Sequence, residues 1–152
     1  MSSSEPPERT LMKPLHLIDK AFLLKKMQLF SSLDLDLLLT IADKMETHLY
    51  KKEASIFQEG QEAHRLYLIV EGGVGIKNRK EGVLGELAAG DFFGEESIFN
   101  EKERGYEAFC KTDVTLLTMT GPHFLSLINE CPTVAISLLE IYTAPLDFRQ
   151  RD

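Results

Sequence analysis

The chain has 152 residues, 43% of them hydrophobic and 27% charged, with a formal net charge of −7. This fits a globular domain with a genuine core and excludes a disordered chain, which would carry less apolar content and a more extreme charge. The acidic balance argues against nucleic acid and acidic membranes as partners, because either would need a local basic stripe and none is found.

No run reaches the roughly eighteen apolar residues that span a bilayer. The start, MSSSEPPERT, lacks a basic region followed by an apolar core, so no signal peptide is expected and the protein reads as cytoplasmic. Residues 1–13 are polar, contain Pro6 and Pro7, and are expected to form a mobile tail ahead of a single domain over 14–152. From Pro14 the pattern turns helical, with Leu15, Ile18 and Phe22 spaced to share one face. A second helix is predicted to start near Asp34, a good N-cap residue, with Leu38, Ile41, Ala42 and Met45 as its apolar stripe.

After Tyr50 the period changes. Short apolar segments follow at 55–57, 66–70, 74–76, 83–87, 106–110 and 114–119, each bounded by glycine or charge. Gly72, Gly73 and Gly90 are plausible turn positions. Pro122 opens a short helix, Cys131-Pro132 breaks it, and Val134, Leu138 and Ile141 mark another that Pro145 should stop. The predicted fold is mainly β: a small antiparallel β-barrel or jelly roll, preceded and followed by short helices.

Catalytic signals are weak. His16, His48, His64 and His123 are scattered, form no H-x-H pair and read as surface or cap residues. Cys110 and Cys131 have no metal-type spacing and read as free thiols, and no G-x-S-x-G turn is present. Neither an enzyme nor a metal site is expected.

The stretch DFFGEESIF, with Arg104 beyond it, is different. If Phe92 and Phe93 end a strand, Gly94 permits a sharp turn and Glu95 to Phe99 form a short helical turn whose N–H groups face an anion. Glu95 suits a sugar hydroxyl, and the planar fork of Arg104 suits two phosphate oxygens. The same two residues would equally serve as a structural ion pair tying a loop to the barrel. On residue types alone, both readings stand.

Several segments in order resemble a cyclic nucleotide-binding domain, from about Leu29 to Tyr142. LFSSLDLDLLLTIADKM is similar to that family's leading helical segment. IFQEGQEAHRLYLIVEGGVGI matches its G-x(5)-L-Y-x-I-x-x-G-x-V strand pair through Gly60, Leu66, Tyr67, Ile69, Gly72 or Gly73, and Val74. GDFFGEESIF with Arg104 resembles its phosphate-binding cassette, including the Glu-to-Arg spacing.

The resemblance implies that Glu95 holds the ribose 2′-hydroxyl and Arg104 the exocyclic phosphate. Backbone groups at Gly94, Glu96, Ser97 and Gly105 would complete the cradle, with Phe93 in the core. It implies a regulatory module that takes a cyclic nucleotide and signals through a separate effector protein, with self-association into a homodimer left open. Gly105 lacks the hydroxyl that often accompanies cyclic GMP preference, which favours cyclic AMP. The rival implication is a degenerate member whose pocket stays empty and which acts as a protein-interaction domain. The chain also departs from the family's pattern. Tyr106 is large where the family is small and is expected to fill space or redirect the strand. Glu96 takes a usually apolar place and is expected to reach solvent or a basic neighbour. Glu101, Glu103 and Glu107 crowd the cassette, Glu53 replaces a common glycine, and the C-terminal lid is short.

Overall fold

The computed structural model describes residues 15–144, so the expectations for the 1–13 tail, for Pro145 and for the segment beyond it lie outside the described residues. Its elements, in chain order, are α1 (Leu17–Lys25), α2 (Leu35–Asp43), β1 (Glu46–Tyr50), β2 (Ser55–Phe57), β3 (Arg65–Glu71), β4 (Val74–Asn78), β5 (Gly82–Leu87), β6 (Phe92–Phe93), α3 (Glu96–Asn100), β7 (Glu107–Cys110), β8 (Val114–Thr120), α4 (Gly121–Glu130) and α5 (Pro132–Tyr142). They fall into two compact units, a β unit over 45–121 and a helical unit formed by 16–44 with the chain from Pro122 onward.

The β unit is two four-stranded antiparallel sheets, ordered β1-β8-β3-β6 and β2-β7-β4-β5. This is the expected jelly roll in the form of a sandwich, not a closed barrel. Strands β3 and β4 follow one another in sequence yet lie in different sheets. The expected strand pair is therefore a crossing from one sheet to the other, made at Gly72 with φ +101°. A Cβ there would lie 2.3 Å from the Asp113 carbonyl oxygen, so only glycine fits without a backbone shift.

β8 sits between β1 and β3, with Val114, Thr115, Leu116, Leu117, Thr118 and Met119 all buried. Both apolar and threonine side chains are buried along it, so its burial does not alternate. Its two buried threonines satisfy their hydroxyls: Thr115 Oγ1 donates to the Glu71 carboxylate at 3.3 Å and Thr118 Oγ1 accepts from Arg65 Nη1 at 3.1 Å. One strand escapes the sequence pattern, and another is expected only conditionally, as the strand end at Phe92 and Phe93. β1 is half-exposed along its length, and it pairs with β8 from Glu46↔Thr118 to Tyr50↔Val114. β6 is only two residues, pairing with Tyr67 and Leu68 of β3.

In the helical unit, Asp34 caps α2 as expected, its carboxylate accepting from Leu37 N–H at 3.0 Å, and Leu38, Ile41 and Ala42 are buried. The face expected for α1 is the wrong one. Ile18 and Phe22 are 43% and 53% exposed, while Ala21 and Leu24 are fully buried. LIDKAFLLK is apolar on two faces, and the small Ala21 permits the closer approach. His16 caps α1, its own N–H donating to the Asp19 carboxylate.

Glu53, the residue in place of a glycine, has φ +74° and donates its N–H to the Cys110 carbonyl at 2.7 Å. A side chain in this left-handed region costs about 1–2 kcal/mol relative to glycine, partly offset by the greater freedom of glycine in the unfolded chain. Glu53→Gly is therefore expected to raise the unfolding free energy by about 0.5–1 kcal/mol, read as a higher urea midpoint at unchanged slope. A lower midpoint would show that the glutamate side chain contributes more than the backbone strain costs.

Candidate functional site

The site is built at the end of β6. Phe93 is fully buried and stacks on Tyr67, with centroids 5.1 Å apart and planes 11° from parallel. It belongs to the core, as expected. Gly94 then takes φ +86°, and a Cβ at that point would lie 3.1 Å from Arg104 Nη1 and 3.2 Å from Tyr67 Cδ1. Glycine is required here both for the turn and for the close passage of the arginine. α3 follows with Glu95 as its N-cap residue. Glu95 is fully buried, and its side chain makes no capping bond to the helix.

Arg104 reaches the same place from the other side of the loop. Its side chain is 4% exposed. Nη1 donates to the Gly94 carbonyl at 2.5 Å and Nη2 to the Arg65 carbonyl at 2.7 Å. The guanidinium lies over the Phe57 ring, 4.0 Å from its centroid, an arrangement that suits a weakly hydrated planar cation. Arg104 forms no ion pair among the described residues, so the alternative of a structural Glu95–Arg104 bridge is not formed. Nε is buried with no hydrogen-bond partner among them. Burial pulls the Arg104 pKa below its ordinary value, opposed by Tyr67, Tyr106 and Glu96.

The backbone of Arg104 is pinned as well: its N–H donates to the Gln61 carbonyl and its carbonyl accepts from Gly60 N–H, both at 2.8 Å. Gly60, the first residue of the G-x(5)-L-Y pattern, thereby orients the cassette arginine.

The remaining expected residues separate. Ser97 is buried, and its hydroxyl donates to the Glu103 carbonyl at 3.3 Å, closing the loop in which it lies. Gly105 is exposed, with open space where a Cβ would stand. Glu101 and Glu103 are exposed, and Glu107 lies 3.9 Å from Lys77. The expected crowding by acidic groups therefore reduces to Glu96. That residue is half-buried and lies near enough to Arg104 to act on it electrostatically. Its carboxylate accepts from Tyr106 Oη at 2.8 Å, and the same hydroxyl accepts from Gly94 N–H at 2.9 Å. Tyr106 fills space, as expected: it is 8% exposed and lies 5.5 Å from Phe57, ring to ring. The sequence signal for this contact was the coincidence of two departures, a carboxylate at an apolar place and a phenol at a small one.

Outside this site, no cluster of His, Cys, Asp or Glu among the described residues is arranged to hold a metal, and none of their helices is by itself long and apolar enough to cross a membrane.

The sequence matches the Cyclic nucleotide-binding domain family over residues 47–131, more than half of the chain. It is similar to the cAMP-dependent protein kinase regulatory subunit of Schizosaccharomyces pombe, 31% identical over 107 residues covering 70% of this chain and 26% of that protein. It is similar to the cyclic AMP receptor protein of Thermus thermophilus, 33% identical over 97 residues covering 61% of this chain and 45% of that one. Among solved structures it resembles the regulatory subunit of a cAMP-independent protein kinase A from Trypanosoma brucei, with a TM-score of 0.76 and 24% identity over 86% of this chain and 50% of that chain. The chain thus spans between about a quarter and a half of these relatives' length.

Three buried or half-buried acids respond to the same environment. Burial pushes the Cys110 thiol from 9.0 to about 12 and Tyr50 from 10.0 to about 12. It drives Tyr106 well above its ordinary 10.0, with Glu96 and Glu95 adding to the effect. Each group keeps its proton to higher pH when folded, so the unfolded chain releases protons first as pH rises. The stability they carry is present below about pH 9 and lost as pH rises toward 12. Urea unfolding at about pH 7 and about pH 10.5 is expected to give a markedly smaller free energy at the higher pH; equal values would show that these groups are hydrated in the folded state.

Proposed function

The chain belongs to the cyclic nucleotide-binding domain family, and we propose that it is a regulatory module that takes a cyclic nucleotide on Gly94, Glu95, Glu96, Ser97, Arg104 and Gly105 and passes the signal to a separate protein. One observation carries this reading: Arg104 is a buried cation held by two backbone carbonyls and by no carboxylate among the described residues. Desolvating an arginine that has no direct ion pair costs several kcal/mol, Glu96 acts on it only at longer range, and a phosphate oxygen at Nε supplies both a direct charge and the missing acceptor. Glu95, brought to the same turn, offers an acceptor for a ribose hydroxyl. Cyclic AMP is the proposed ligand, because Gly105 brings no hydroxyl to the cassette. Two of the similar proteins carry cyclic AMP in their names, and one is a regulatory subunit of a cAMP-independent kinase; the ligand is therefore proposed from the residues of this chain, and the effector is left unnamed.

A second reading is favoured by one contact. Tyr106 Oη already takes the Gly94 N–H, as it would in a domain whose pocket stays empty and whose work is to bind another protein.

Thermal unfolding with cyclic AMP and with cyclic GMP separates the two. Ligand at about a hundred times its dissociation constant adds about 2.7 kcal/mol, a rise in Tm of roughly 5–10 °C for a domain of this size. The rise is expected with cyclic AMP and is expected to vanish in Arg104→Ala. Arg104→Lys, which keeps the charge and loses the planar fork, should retain only part of it. No shift with either nucleotide at about millimolar concentration would favour the empty pocket.

A further inference from the structure

The contact between Tyr106, Gly94 and Glu96 lies inside the proposed ligand site, yet ligand binding gives it no role. A tyrosine hydroxyl at 2.9 Å from Gly94 N occupies the donor that the cradle would offer a ligand oxygen. The phenol is neutral, so it accepts from the backbone N–H and passes its own proton toward Glu96, 2.8 Å away. Hydroxyl, amide and carboxylate thus form a closed chain, with the amide donor consumed at one end and a negative charge fixed at the other.

Two structural facts allow this chain to open. Tyr106 lies just outside β7, which begins at Glu107. Gly105 before it is exposed, with nothing within 4 Å of a notional Cβ, and can absorb a change of backbone angle without a clash.

We propose that Tyr106, held by Glu96, is the specificity-determining residue of the cassette: it occupies the anion position at Gly94, and a cyclic nucleotide gains that position only by displacing the phenol. The proposal rests on the reading of the chain as a cyclic nucleotide-binding module. Displacement has two consequences for an anion. It must replace the hydroxyl at Gly94 N–H, and it then meets the carboxylate of Glu96, which repels a phosphate at short range. A neutral nucleoside meets the first obstacle only where its sugar needs the amide, and it does not meet the second. The pair therefore weakens binding of the charged ligand more than that of the neutral one.

The test is calorimetric titration of cyclic AMP and of adenosine into the wild-type chain and four variants: Tyr106→Phe, Tyr106→Ala, Glu96→Gln and the double variant Tyr106→Phe/Glu96→Gln. Tyr106→Phe keeps the ring against Phe57 and removes only the hydroxyl, so it reads the gate even where Tyr106→Ala fails to fold. Losing one hydrogen bond to the displaced residue is expected to tighten cyclic AMP by about fivefold. Glu96→Gln is expected to tighten cyclic AMP by a similar factor while leaving adenosine unchanged. The double variant should gain less than the product of the two, because both act through one contact. Binding that appears in the variants and is undetectable in the wild type would also support the gate. If the wild type binds cyclic AMP and the folded variants bind it equally well, the gate is overturned while the module reading stands. If neither the wild type nor any folded variant binds cyclic AMP or adenosine, the module reading fails and the gate falls with it.

Discussion

A single buried guanidinium organises the centre of the β unit. Arg104 joins the carbonyl of Gly94, just past β6, to the carbonyl of Arg65, at the start of β3. Its own peptide is held by the turn around Gly60 and Gln61. These stretches are tied through one residue, by its side chain and its peptide together. The tie works because arginine carries several donors in one rigid plane, and because Gly94 lets the chain pass close enough for its carbonyl to be reached. A lysine would supply the charge without the planar fork.

The surroundings explain how a cation is tolerated at this depth. Phe57 lies beneath the guanidinium, and Phe57, Tyr67, Phe93 and Tyr106 form one continuous aromatic cluster. The rings provide negative faces without charge, so the arginine is stabilised where water is excluded. The carboxylates divide their labour. Glu95 is buried in the turn, Glu96 is engaged by Tyr106, and Glu107 is drawn off toward Lys77. Net charge, which counts all of them alike, says little about the electrostatics at Arg104.

The departures from the family's pattern prove to be coupled, not independent. Glu96 alone would be a carboxylate left without purpose in an apolar place, and Tyr106 alone a large ring where a small residue would do. Together they make one hydrogen-bonded chain to Gly94. The Glu53 substitution stands apart from this, confined to a left-handed backbone position. It changes a local strain and touches no part of the site.

By itself the sequence indicated the jelly-roll class, most of its strands and the Asp34 cap, and it singled out Glu95 and Arg104. All of these rest on local signals: period, turn chemistry and the spacing of Glu95 and Arg104. It did not reveal β1, because a half-exposed strand carries no periodicity, and it offered β6 only as a condition on Phe92 and Phe93; pairing with β8 and β3 defines the two strands. It chose the wrong face of α1, since a helix apolar on both sides leaves the choice to the packing around Ala21 and Leu24. Only the tertiary structure decided what Arg104 touches. Whether it meets a carboxylate or a pair of carbonyls depends on distances between segments some ten and forty residues apart, and no local pattern encodes those distances.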